Sequence, residues 1–319
     1  MDNAELSYLL GMIAGKGTII RGKERSEIII EIPHKNLISE GMDAKLSVKA
    51  SLDDIRNIVE PLIGTRLLSS QTSHRTVLKF TKDNQDFLIR EINRYYSRLN
   101  SFKDFRIPKE VFGFSADMKQ QFMIGLADVT AHIRSSNSAF GQLFNHRAYI
   151  EIPVNWFMVV DIGNLLIELD IPIHTIDWAH PNMRDPNLKY FNQGKSEAWF
   201  KEHQIKIYAD EFEKIGFRID HKMKALLNLA SRNRKEWNKV VNEKIRIAKT
   251  PDNCEKWRKS LNRIDLIHHK YYWQTKDITK TKPTHPMEHS DKIPAIIRGR
   301  HFDSWKEICI ALGYVRREE

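Results

Sequence analysis

The chain has 319 residues, 41% of them hydrophobic and 10% aromatic, enough to bury one large core or a few small ones. A formal net charge of +10 favours a polyanionic partner and argues against an acidic, solvating chain. No run of about 18 apolar residues occurs, so no membrane partner is expected. Two cysteines, Cys254 and Cys309, exclude a disulfide framework and predict an intracellular setting, cytoplasm or nucleoid.

Residues 5–14 predict an amphipathic helix that Gly15 and Gly17 would stop. Residues 18–22 and 27–33 predict strands, the second from Ile28, Ile30 and Ile32 alternating with Glu27 and Glu31. Residues 36–50 show no clear period. Ser51, followed by Asp53 and Asp54, predicts a helix start, and that helix runs to Gly64. Residues 66–70 and 76–81 predict a second strand pair, and 83–99 a long helix with Phe87, Leu88, Ile92 and Tyr95 on its apolar face. The connector 105–113, with Pro108 and Gly113, marks a boundary. The order then recurs: helix 116–128, strands 132–136 and 148–153, helix 155–169, strands 173–178 and 205–209, and a short helix 211–215. From Asp220 the pattern changes to a helix at 221–229 and a strongly basic stretch at 232–263 containing Trp237 and Trp257. Residues 265–294 predict irregular chain, and 302–312 an amphipathic helix.

Two short stretches match each other. The first is Leu9-Leu10-Gly11-Met12-Ile13-Ala14-Gly15-Lys16-Gly17, the second Met123-Ile124-Gly125-Leu126-Ala127-Asp128-Val129-Thr130-Ala131. Each ends an apolar helical run and precedes a strand. Gly11 and Gly15 share one helical face, and Gly125 and Val129 share the matching one, so two such helices can approach closely. Both stretches resemble the signature helix of the LAGLIDADG family of homing endonucleases and related DNA-binding proteins, over roughly residues 5–220. The short Ile107-Pro108 segment before the second copy is similar too.

The resemblance implies an α+β fold: two pseudo-symmetric αββαββα halves at 1–104 and 105–220 that form a saddle over the DNA major groove. A basic, mainly helical or irregular extension follows at 221–319. It implies Gly11, Gly15, Gly125 and Val129 at the helix interface, and a monomer, since both halves lie in one chain. In that family the last acid of each motif holds the catalytic metal. Here Lys16 and Thr130 stand at those positions, while Asp128 matches the earlier acid. An ammonium repels Mg²⁺ and a hydroxyl is a poor substitute for a carboxylate. The expected function is therefore sequence-specific binding of double-stranded DNA, as a specificity module or regulator, with Lys16 on a phosphate.

The alternative is an endonuclease of homing or restriction type. It would use Mg²⁺ at a displaced site, with Asp128 as its catalytic candidate and Glu27, Glu31 and Glu151 as further acids, or it would borrow a catalytic or methyltransferase subunit. A second alternative on the same fold is an intron RNA-binding splicing factor. Candidate DNA contacts in the first half are Arg21, Lys23, Arg25, Arg66, Gln71, Arg75 and Lys79. In the second they are Arg134, Asn137, Gln142, Asn145 and Arg147. Arg suits guanine, and Asn or Gln suits adenine. A zinc set from Cys254, His268 or His269, His285 and His289 lacks an accompanying Cys-x-x-Cys and is not expected.

Overall fold

The structure, a computed structural model, describes residues 3–97, 99–135, 146–153, 155–171, 173, 175–177, 203–247, 295–297 and 300–302. It is an α+β fold of two sheets backed by helices. In the first half, α1 (Ala4–Lys16) leads into β1 (Gly17–Arg21) and β2 (Arg25–Pro33). A single 3-10 turn and α2 (Ala44–Ile63) follow, then β3 (Leu68–Gln71), β4 (Arg75–Asp83) and α3 (Phe87–Tyr96). The second half runs α5 (Ala116–Thr130), β5 (Ala131–Arg134), β6 (Arg147–Ile152), α6 (Trp156–Glu168), β7 (Thr175–Asp177), β8 (His203–Tyr208) and α7 (Ala209–Phe212). Between them lies α4 (Lys109–Phe112).

The first sheet has the order β1-β2-β4-β3, and the second contains the same order as β5-β6-β8-β7. Two strands from the C-terminal region, β9 (Ala295–Ile297) and β10 (Arg300–Phe302), extend the second sheet, with β9 parallel to β7. Alternation decides which face each sheet buries. Ile28, Ile30, Ile32, Leu78 and Phe80 point into the core, as do Ala148, Ile150, Ile152, Ile205 and Ile207. Their neighbours form the opposite, outer faces.

Several expectations shift. Gly15 does not stop α1, which continues through Lys16. Ser51 is not a helix start: α2 begins at Ala44, where Asp43 accepts from the amides of Lys45 and Leu46 at 3.0 Å. Val48, Leu52, Ile55, Val59 and Ile63 then line its buried face at helical spacing. Gly64 ends it in the left-handed region, φ 62°. On α3 the buried face is Leu88, Ile89, Ile92 and Tyr96, and Phe87 is half exposed. The helix predicted at 221–229 is the first part of α8 (Asp220–Ile247), which takes in half of the basic stretch. Phe302 ends a strand rather than opening a helix. Residues 303–312, the segment 265–294 expected to be irregular, Trp257 and the cysteine–histidine set lie outside the described residues.

The connector is held tightly to the second half. Asp161 on α6 accepts from Arg106 Nε and an Nη, both at 2.6 Å, and from the Ile107 amide at 3.0 Å. Asn155 donates to the carbonyls of Phe102 and Phe105. No helix among the described residues is long and apolar enough to cross a membrane.

Candidate functional site

The two motif helices run side by side in the same direction. A Cβ at Gly11 would lie 2.0 Å from the Phe122 carbonyl oxygen, and one at Gly125 would lie 1.9 Å from the Tyr8 carbonyl oxygen. Each glycine thus admits the backbone of the other helix. One turn on, a Cβ at Gly15 would meet Thr130 Cγ2 at 2.7 Å and Val129 Cγ2 at 3.0 Å. The C-termini of α1 and α5 therefore converge. Their carbonyl ends concentrate partial negative charge at one place, which favours a cation.

Two buried lysines lie in this region. Lys16, in the last turn of α1, is buried and lies 5.6 Å from the centre of the Phe102 ring. Lys222 reaches in from α8, fully buried. Its Nζ donates to the carbonyls of Ala127 (3.2 Å), Asp128 (3.0 Å) and Ala131 (2.9 Å) at the end of α5. The sequence reading missed Lys222. Its signal is a lysine on the apolar stripe formed with Ile219, Leu226 and Leu229, all buried.

Thr130 is fully buried, and its hydroxyl donates to the Leu126 carbonyl at 2.7 Å, a bond within its own helix. Asp128 faces α1 across the helix pair. It is fully buried, and its Oδ2 accepts from the Tyr8 hydroxyl (2.8 Å) and the Arg218 amide (3.1 Å). Burial pushes its carboxyl up to about 6, against the pull of Lys222. Burial likewise lowers Lys222 to about 8, with Asp128 opposing. Asp128 ties α5 to α1 and to the segment that leads into α8.

A second polar cluster lies beside the helix feet, on the outer face of the second sheet. Buried Glu151 is held by Lys35 Nζ at 2.7 Å, and its Oε1 accepts from Gln204 at 3.0 Å. His132 Nδ1 lies 3.8 Å from the same carboxylate, and its ring stacks on Tyr149 at 5.1 Å. Burial, reinforced by Arg134 and Lys35, lowers His132 to about 3, so it is neutral. The guanidinium of Arg134 sits 5.5 Å from the Tyr149 ring centre, and that of Arg147 5.5 Å from Tyr208. These basic and aromatic side chains fit a polyanion whose bases have flat faces.

The candidate contacts of the first half divide. Arg75 and Lys79 stand on the outer face of the first sheet, 2.6 Å from Glu31 and 3.4 Å from Glu27 respectively. Arg25, Lys23, Arg66 and Gln71 are exposed at strand ends and loops. Arg21 points the other way. It donates to Asn93 Oδ1 (2.8 Å), the Leu99 carbonyl (2.9 Å), the Tyr96 carbonyl (3.3 Å) and Asn100. It ties β1 to the end of α3. Asn137, Gln142 and Asn145 lie outside the described residues. Among the described residues no three His, Cys, Asp or Glu side chains gather as a metal site.

Fold and site thus define an α+β scaffold with two like halves joined through paired helices, whose feet carry ammonium groups. No family model matches the chain, and no curated protein matches it. Solved structures of similar fold include the homing endonuclease I-DmoI in complex with DNA and Mn. It is 17% identical over 69% of this chain and 96% of that one, with a TM-score of 0.35. The LAGLIDADG meganuclease I-AabMI, bound to uncleaved DNA, is 11% identical over 80% of this chain and 96% of its own, with a TM-score of 0.36. Full-length WhiA from Thermatoga maritima is 11% identical over 85% and 84%, with a TM-score of 0.37. Likeness this distant carries no argument for fold or function.

Proposed function

We propose that the chain binds double-stranded DNA as a monomer, sequence-specifically, across the outer faces of its two sheets. The feet of the paired helices meet the phosphate backbone with a fixed ammonium in place of a bound metal. The observation that carries this reading is the pair of equivalent positions Lys16 and Thr130. One is a buried lysine, and the other spends its hydroxyl inside its own helix. Convergent helix ends favour positive charge, and Lys222 donates to three carbonyls at the end of α5. The net charge of +10 and the arginines and lysines of the outer faces support phosphate contacts, which would dominate affinity. The protein then acts as a specificity module or regulator.

The test is a duplex-DNA selection from a random pool with the purified chain, followed by binding over a salt series and plasmid nicking with Mg²⁺ or Mn²⁺. The expected result is an enriched sequence, affinity that falls steeply with salt, and intact plasmid. Metal-dependent nicking that tracks the purified chain would instead establish a displaced nuclease centre. A preference for structured RNA over duplex would overturn the DNA assignment.

A further inference from the structure

The two outer faces have the same layout but different chemistry. The Ile-Glu-Ile-Pro echo aligns Glu31 of β2 with Glu151 of β6, and strand pairing carries the alignment across both sheets. Two residues before those acids stand Ile29 and Tyr149. Ile29 faces Lys79 as Tyr149 faces Lys206. Opposite the acids themselves stand Val77 and Gln204. On the flanking strands, Leu68 faces Lys79 where Thr175 faces Lys206. Ile20 and Arg134 are likewise equivalent, each two residues beyond the partner of Ile29 or Tyr149. The first face is aliphatic at four positions where the second is polar or aromatic.

These aliphatic side chains are open to a partner: Ile20 is 50% and Leu68 53% exposed, and Ile29 and Val77 are partly exposed. They do not form a plain apolar patch. The ion pairs Glu27–Lys79 and Glu31–Arg75 run between them, and Arg25 stands at the rim. A protein partner would have to bury those charges. A DNA groove offers partners to both signs, since phosphates accept from Arg75 and Lys79, cytosine amino groups donate to Glu27 and Glu31, and base edges offer scattered methyl groups. In the major groove the C5-methyl of a pyrimidine is the one apolar feature, and aliphatic contact with it is how it is read.

Resting on the DNA-binding reading above, we infer that the first sheet recognises C5-methyl groups of pyrimidines in its half of the site, through Ile20, Ile29, Leu68 and Val77. The second sheet reads its half through polar and cationic groups and is indifferent to those methyls. The target is chemically lopsided: methyl-rich on one side, hydrogen-bonded on the other.

The test uses the full chain and the duplex obtained by selection. Deoxyuridine, which lacks the methyl, replaces thymine in one half at a time. A separate arm replaces cytosine with 5-methylcytosine. Wild type should lose about fourfold in affinity per contacted thymine methyl in one half only, or gain a similar factor from 5-methylcytosine there. The second arm separates the two sources of the methyl. The double variant Ile20→Ser/Leu68→Ser changes only exposed side chains, and it should lose most of this sensitivity while still binding DNA. Equal affinity for methylated and unmethylated duplexes in both halves overturns the inference. So does a variant that leaves base sensitivity untouched but changes the oligomeric state, which would make the face a contact with a second copy. Failure to enrich any duplex is a different result, and it removes the DNA-binding reading itself.

Discussion

Gly125→Ala puts a methyl carbon where the Tyr8 carbonyl oxygen lies 1.9 Å away, with the carbonyl carbon at 2.7 Å. Ordinary contact begins near 3.4 Å, so α1 and α5 must separate by about 1.5 Å at the crossing. The obstacle is backbone, and no rotamer change relieves it. Separation opens a gap along a seam that buries Tyr8, Met12, Phe122, Leu126 and Val129, each essentially inaccessible. A gap of that size forfeits a large share of the dispersion contacts. Overpacking usually costs about 1–3 kcal/mol, and this case belongs at or above the upper end. The helix-propensity gain of alanine, about 1 kcal/mol, offsets only part. We therefore expect a net loss of about 3 kcal/mol for Gly125→Ala and a similar loss for Gly11→Ala, whose methyl meets the Phe122 carbonyl oxygen at 2.0 Å. The double variant should cost less than the sum, because helices already separated accommodate the second methyl. Gly15→Ala meets side-chain methyls at 2.7 and 3.0 Å and the Leu126 carbonyl oxygen only at 3.5 Å, an ordinary contact, and should cost less, about 1 kcal/mol. Urea denaturation followed by circular dichroism gives the midpoints. A Gly125→Ala protein within about 0.5 kcal/mol of wild type would refute the close crossing.

Lys222→Met leaves the buried Asp128 carboxylate and three helix-end carbonyls without their cation; it should destabilise by about 3–5 kcal/mol, and adding Asp128→Asn should recover part of that in the same denaturation assay. His132 falls from an ordinary 6.5 to about 3 on folding, so between those values the native state binds fewer protons than the unfolded one. Its contribution is complete above pH 6.5 and is lost as pH falls toward 3, spanning about 5 kcal/mol at most. Asp128, raised to about 6, acts in the opposite sense at acid pH, so the measurement is the difference between wild type and His132→Gln in melting temperature against pH. The variant should show the flatter acid limb, and parallel curves would disprove the assignment. Lys16→Met should weaken DNA binding about equally across sequences and reduce the slope of affinity against salt by about 1. An unchanged slope would remove Lys16 from the phosphate contact. Arg21→Ala should lower the melting temperature with little effect on DNA affinity, since its guanidinium is engaged by Asn93, Asn100 and neighbouring carbonyls.

Much of the frame was legible from local pattern. The alternation of Ile28, Ile30 and Ile32 specified a strand and the face it buries, because a period of two depends only on the chain itself. The matched glycines of the two motif stretches pointed to helices in close contact, because small side chains at that spacing have few other uses within a helix. The identities of Lys16 and Thr130 followed once the motifs were aligned.

What local pattern could not supply was which polar groups are used up by distant neighbours. Asp128 bonds to Tyr8 and Arg218, and Arg21 to the end of α3, partners that no stretch of sequence reveals. Ser51 read as a helix start, yet it lies inside α2, where it donates to the Leu37 carbonyl and meets His221 of α8 at 2.8 Å. Lys222 read as one basic residue among many until α8 was folded against the end of α5. The sequence by itself determined the repeating order of elements, the paired helices and the placing of Lys16 and Thr130 at matched positions of the two stretches, since each rests on spacing along one chain. Only the tertiary structure decided where the compensating charge sits and which side chains remain to meet a partner. Burial and hydrogen-bond satisfaction are settled by residues about a hundred positions apart, as with Lys222 and Asp128, and no window on the chain contains both.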